Sequence, residues 1–110
     1  MKISKRKGKL NVTLEPECTI IDVEKDTDKI RSRMKDVTSI VVKADGVTEM
    51  DTAYFQLILS LMNTADELGI ELSIPKMSEE VKGLFDTYGV RRINSPPLAA
   101  GKFIFRDSRF

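Results

Sequence analysis

Histidine is absent from the 110 residues, and cysteine occurs once, at Cys18. The chain therefore lacks the commonest general base and the usual zinc ligands, and it cannot form a Cys-His nucleophilic pair. A single thiol also excludes an internal disulfide and fits a reducing compartment. Glycine is scattered, at positions 8, 46, 69, 83, 89 and 101, so neither the phosphate-loop spacing nor the dinucleotide fingerprint occurs. These absences predict no cofactor and no metal. No apolar run reaches the length of a membrane span, and the basic start "MKISKRKGK" is not followed by the apolar segment of a secretory signal. The expected location is cytoplasmic, with no membrane insertion.

Charge is plentiful but balanced. Eighteen basic and seventeen acidic side chains leave a net charge of +1, which provides no global field to gather nucleic acid. The basic charge is local: Lys2, Lys5, Arg6, Lys7 and Lys9 crowd the N-terminus. Such a cluster suits either a phosphate-seeking arm or a frayed, solvated end, and the second is the commoner arrangement. Residues 1–8 are accordingly expected to be a basic, flexible N-terminus. The carboxylates Asp22, Glu24, Asp26 and Asp28 lie beside lysines on an amphipathic segment, the pattern of a solvated helix face rather than of a catalytic acid pair. At 41% hydrophobic and 32% charged residues, the composition and length fit one globular domain.

Periodicity divides the chain into alternating strands and helices. "KLNVTLEP" sets Leu10, Val12 and Leu14 on one face of a strand that ends at Pro16. A short strand remnant follows, then an amphipathic helix carrying Val23, Ile30, Met34 and Val37. "SIVVKA", residues 39–44, reads as a central strand covered on both faces. From Thr52 to Leu68 no proline or glycine interrupts a helical repeat, and Gly69 ends it. "IELSIP" alternates inward at Ile70, Leu72 and Ile74, and Ser78 caps a last helix with Val81, Leu84 and Phe85 on its apolar face. Such alternation predicts an α/β fold: a small mixed sheet of about four to five strands with amphipathic helices packed against it. The domain is expected to span residues 9–92. Residues 93–110, with the apolar "KFIF", form a C-terminal extension that can add an edge strand or cover an exposed helix.

The turn "DGVTEMD" before the Leu-rich helix is the most informative stretch. A hydroxyl at a helix N-terminus lies among unpaired amide donors at the positive end of the dipole, where a phosphoryl group is stabilised. Thr52 has this address. In the plainer alternative, Asp51 or Thr48 is an N-cap worth about 1 kcal/mol and Thr52 an ordinary first-turn residue.

The segment "IVVKADGVTEMDTAYFQLILSLMNTADELGIELSI" resembles the core of a STAS domain: a strand, a turn, Asp-Ser/Thr-x-Gly and a Leu-rich helix. "MSEEVKGLFDTYGV" is similar to the family's "SPxVxxLFxxxGL" helix. Among anti-sigma-factor antagonists of this family the hydroxyl after the aspartate is phosphorylated by a partner kinase. The resemblance therefore implies that Thr52 is the phosphoacceptor and Asp51 the preceding acid. Phosphate there would add to Glu49 and Asp51 and repel an acidic partner surface. The family glycine two residues after the hydroxyl is Tyr54 here, and its bulk is expected to obstruct a kinase. "DTAYFQLILSLMNTADELG" is also similar to the "DTAGLQLL" of STAS proteins from chemotaxis-type signalling and phospholipid-transport complexes.

What the resemblance implies is a non-enzymatic protein-interaction module in bacterial signalling. Its partner would be an anti-sigma factor or kinase-like protein, or a signalling-complex subunit. A helical wheel adds a reading from the residues: Gln56, Ser60, Asn63 and Glu67 form one polar stripe, while Phe55, Leu59 and Met62 lie beyond the face buried by Tyr54, Ile58 and Leu61. Those three need a cover, from the first helix, the tail, a partner or a homodimer. The candidate partner-binding residues are Glu49, Asp51, Thr52, Tyr54, Phe55, Leu59 and Met62. Two alternatives remain: an unmodified subunit or adaptor of a larger complex, and a small-ligand carrier with a pocket near Tyr54 and Tyr88.

Overall fold

In the computed structural model, which describes residues 1–88, Lys2–Arg6 forms strand β1 and Lys9–Thr13 forms β2. They pair antiparallel with Arg6 opposite Lys9, joined by Lys7 and Gly8 at φ of 50° and 80°. Two consecutive left-handed residues match the twist of a tight hairpin. This strand corrects the expectation of a flexible N-terminus over residues 1–8. The ladder and the turn geometry hold β1, although Ile3 is its only apolar side chain and lies half-buried.

The remaining elements follow in order: β3 (Glu17–Cys18), α1 (Ile20–Arg31), β4 (Ser39–Ala44), β5 (Glu49–Met50), α2 (Thr52–Leu68), β6 (Glu71–Met77) and α3 (Glu79–Thr87). The four-stranded sheet runs β1-β2-β4-β6, with β2, β4 and β6 parallel and β1 antiparallel at one edge. This is the mixed α/β architecture expected. Pro75, which has no N–H to donate, lies in edge strand β6 where the register with β4 shifts between Val41 and Lys43.

β4 is central by pairing, but it is not covered on both faces as expected. Ile40, Val42 and Ala44 are buried, whereas Val41 is half-buried and Lys43 exposed, so burial alternates along the strand. Leu10 and Val12 of β2 join them in a core shared with Leu57, Ile58 and Leu61 of α2 and with Val81 and Phe85 of α3. Helix α1 stops earlier than its apolar spacing suggests. Ser32 caps it, Asp36 turns the chain at φ 60°, and Val37 is buried from a loop. Ser78 caps α3 by accepting from Val81 N at 3.3 Å, as its position predicted. The expected C-terminal extension over residues 93–110 and the expected end of the domain at 92 lie outside the described residues.

Two glycines differ in what their left-handed backbone demands. At Gly69, φ 70°, a Cβ would meet nothing within 4 Å, while at Gly8, φ 80°, it would lie 3.0 Å from Thr38 Oγ1 and 3.3 Å from Asp36 O. Gly8 O also accepts the Thr38 amide at 2.8 Å, which ties the hairpin turn to the start of β4. Gly69→Ala should therefore cost about 1–2 kcal/mol, the left-handed penalty alone. Gly8→Ala should cost more in urea unfolding, and equal losses would show that the turn yields freely to Thr38.

Candidate functional site

The start of α2 is assembled from segments far apart in sequence. Strands β3 and β5 pair parallel, Glu17 with Glu49 and Cys18 with Met50. Pro16 O accepts from Thr48 N at 2.8 Å, Glu49 N at 3.1 Å and Thr48 Oγ1 at 3.1 Å. Thr48 is thereby engaged on the neighbouring strand, and Asp51 is the N-cap of α2. Its Oδ1 accepts from Tyr54 N at 2.9 Å. Its Oδ2 accepts from Ile20 N, the first residue of α1, at 2.7 Å. The N-cap residue of α1, Thr19, makes no side-chain cap bond, so Asp51 provides one for both helices. A carboxylate between two helix N-termini faces the positive ends of both dipoles.

Thr52 is exposed at the first position of α2, and Glu49 is exposed on β5 beside it. Ile20 and Ile21, in the first turn of α1, are 66% and 86% exposed. This apolar pair, joined to Asp51 through the Ile20 amide, was not singled out in the sequence, where it read as part of a strand remnant. Exposed Glu17, opposite Glu49, makes the rim acidic.

The other candidate residues are interior. Tyr54, Phe55, Leu59 and Met62 are all buried, so Phe55, Leu59 and Met62 have the cover they were expected to need and present no apolar surface of their own to a partner. Phe55 meets Phe85 edge-on at 5.1 Å and stacks on Tyr88 at 5.4 Å, so α3 and the residue after it cover that side. The polar stripe on α2 is likewise partly interior: Gln56 and Glu67 are exposed, but Ser60 and Asn63 are buried. A helix packed against α1 on one side and β6 on another has little surface left for a polar face.

Tyr54 also departs from its expected effect. Its ring points inward with no exposed surface, and its hydroxyl donates to Asp26 Oδ2 of α1 at 2.6 Å. Its bulk is therefore not beside the Thr52 hydroxyl. Nor does it line an open ligand pocket with Tyr88, which stacks on Phe55 instead. Asp26 corrects the reading of its segment as a wholly solvated face, because it is 2% exposed and its Oδ1 has no hydrogen-bond partner among the described residues. The signal was present in the spacing. Asp26 lies three residues after Val23 and four before Ile30, on the apolar side of α1.

Cys18 sits next to this pair. Its buried thiol donates to Glu15 O at 3.3 Å, and burial first, then the Asp26 charge, pushes its pKa from 9.0 to about 11. Burial and the bond to Asp26 drive the Tyr54 hydroxyl far above its ordinary value of 10.0. Neither group is a nucleophile or a base near neutrality. Among the described residues no cluster of His, Cys, Asp and Glu could hold a metal, and no helix is long and apolar enough to cross a membrane.

A family model described as STAS domain matches residues 3–104. No curated protein matches the chain.

The geometry makes two expectations. Tyr54→Phe leaves both Asp26 oxygens buried without a partner and should cost about 1–3 kcal/mol in urea unfolding. The double variant Tyr54→Phe/Asp26→Leu should recover part of that loss, and failure to recover would show that the hydrogen bond is not the cause. The second concerns pH. A group whose pKa rises on folding holds its proton more tightly in the native state, so its stabilisation is complete below the unfolded pKa and is lost as pH rises towards the folded one. For Cys18 that window runs from 9.0 to about 11. Tyr54 acts with the same sign from 10.0 upward. Stability by urea unfolding at stepped pH should hold up to pH 9 and fall above it, less steeply for Cys18→Ala. A flat profile would contradict both shifts.

Proposed function

The chain belongs to the STAS domain family, and from that premise we propose that it is a non-enzymatic protein-interaction module of bacterial signalling, similar to an anti-sigma-factor antagonist. It docks on a protein partner through the surface around the start of α2, and phosphorylation of Thr52 gates the docking. The observation that carries this reading is the juxtaposition of an exposed hydroxyl with a solvent-facing apolar pair. Thr52 follows Asp51, whose carboxylate holds the amide of Ile20, and Ile20 and Ile21 are the most exposed large apolar side chains described. A partner that covers them must pass close to Thr52.

Phosphorylation has a physical route to opposing that contact. It would add about −1.5 to −2 charges beside Asp51 and Glu49, on a rim that Glu17 already makes acidic. The helix N-terminus tolerates the added charge, but an acidic partner surface does not. The inward ring of Tyr54 leaves the hydroxyl open to a kinase. Asp51, Glu49 and Thr52 supply the polar part of this surface. Tyr54, Phe55, Leu59 and Met62 shape it from beneath as the packed body of α2.

The test uses the full chain as bait for its cellular partner. The protein that wild type retains should be lost on Ile21→Glu and on Thr52→Asp, and intact-mass analysis of the chain from cells should show a phosphorylated fraction that Thr52→Ala abolishes. Retention by Thr52→Asp together with loss on Ile21→Glu would favour an unmodified subunit of a permanent complex. Retention by both would place docking elsewhere.

A further inference from the structure

Lys2, one of the basic residues expected to trail in solvent, instead lines a formed hollow. An open cavity of about 350 Å³ lies between β1 and the C-terminal end of α1, lined by Met1, Lys2, Ile3, Lys29, Ser32 and Arg33. We propose that this hollow binds a multiply charged, phosphoryl-bearing anion, held by Lys2, Lys29 and Arg33. Three cations and no carboxylate line it, over a floor of buried Met1 and half-buried Ile3. Its volume lies at the small end of ligand sites, about 300–1,000 Å³.

The cations are placed by the fold rather than merely frequent in the sequence. Lys29 Nζ donates to Met1 O at 3.0 Å, which fixes its head at the rim and leaves two of the three ammonium N–H groups for a ligand. Lys5 Nζ similarly donates to Lys35 O, so a second bond ties the β1 edge to the segment after α1. Nearby carboxylates are engaged: Asp28 Oδ1 pairs with Arg31 at 3.1 Å, and Glu15 Oε1 with the Met1 amine at 3.2 Å. The stretches 1–9 and 29–35 hold nine Lys and Arg residues and no acid, whereas Glu17, Glu49 and Asp51 gather at the other end of α1. The near-zero net charge conceals this segregation.

Helix polarity alone does not account for the arrangement. Lys29 and Arg31 in the last turn complement the negative end of the α1 dipole, but Lys2 belongs to another element and Arg33 lies beyond the helix. The dipole end opposes an anion with about half a charge, against three full charges around the hollow. Arg33 offers a fork suited to two phosphoryl oxygens, and the lysines act as point charges. A single weak anion would not match three cations, whereas a pyrophosphate or a phosphomonoester headgroup does. The hollow lies a helix length, about 18 Å, from Thr52, so it is independent of the docking surface.

Two arms distinguish free from lipid-borne phosphate. The full chain is titrated at low salt with inorganic pyrophosphate, following its amide resonances, and sedimented with phosphatidylcholine vesicles with and without phosphatidic acid. Saturable shifts at Lys2, Ile3, Ser32 and Arg33 are expected, weakening as salt rises. Lys2→Gln/Arg33→Gln should reduce the affinity at least tenfold, whereas Lys25→Gln, whose lysine pairs with Asp22 outside the hollow, should not. Sedimentation that requires phosphatidic acid, without pyrophosphate shifts, would assign the phosphoryl group to a lipid. No saturable response in either arm, or wild-type affinity in the double variant, would overturn the proposal.

Discussion

Asp51 directs its two carboxylate oxygens at two helices, and much of the candidate site depends on this. One oxygen closes the N-terminus of α2 and the other that of α1, while the Asp51 amide donates to Cys18 O at 3.1 Å. Three segments of chain are thus held at one residue. Charge-assisted bonds of this kind contribute about 1.5–3 kcal/mol each, more than an ordinary cap. The site follows from that hold: Thr52 is presented at the surface because Asp51 is anchored, and Ile20 stays beside it because its amide is bound. Beneath them the Tyr54–Asp26 bond joins the same helices inside the protein. The junction is therefore fastened at its surface and in its core.

The two ends of α1 differ in chemistry. At its start, exposed isoleucines face solvent among carboxylates. At its finish, cations from β1 and from the helix end surround a hollow with no acid in its lining. The elements responsible are ordinary, a capped helix and a hairpin, and the distinction arises from where the sequence places its charges. An average over the chain reports neither end.

Much of this was legible in the residues. The alternation of Leu10, Val12 and Leu14, the run at 39–44 and the uninterrupted repeat from Thr52 to Gly69 identify β2, β4 and α2, because each has enough apolar positions to reveal its period. β1 was not legible, since one isoleucine among cations has no period, and its pairing depends on a turn whose left-handed residues are Lys7 and Gly8. The polar stripe of α2 misled for a different reason. A wheel describes one helix, and the burial of Ser60 and Asn63 depends on neighbours it does not contain. At the site, an aspartate before a Leu-rich helix announces a cap. That its second oxygen crosses to Ile20, and that Tyr54 reaches Asp26, are contacts between distant residues that local pattern does not encode.

The sheet order also bears on how the chain comes together. β1 and β2 meet across a two-residue turn, but the parallel ladders of β2 with β4 and β4 with β6 each join strands separated by a helix. Non-local pairing is slow, so the hairpin can form while its inner edge still lacks β4. An unpaired edge in a crowded solution invites pairing with other chains, and a lysine on it, Lys9, together with the cations of β1 and the turn, discourages this. The cations of the first hairpin therefore have work during folding as well as afterwards: they keep neighbouring chains apart until the central strand arrives.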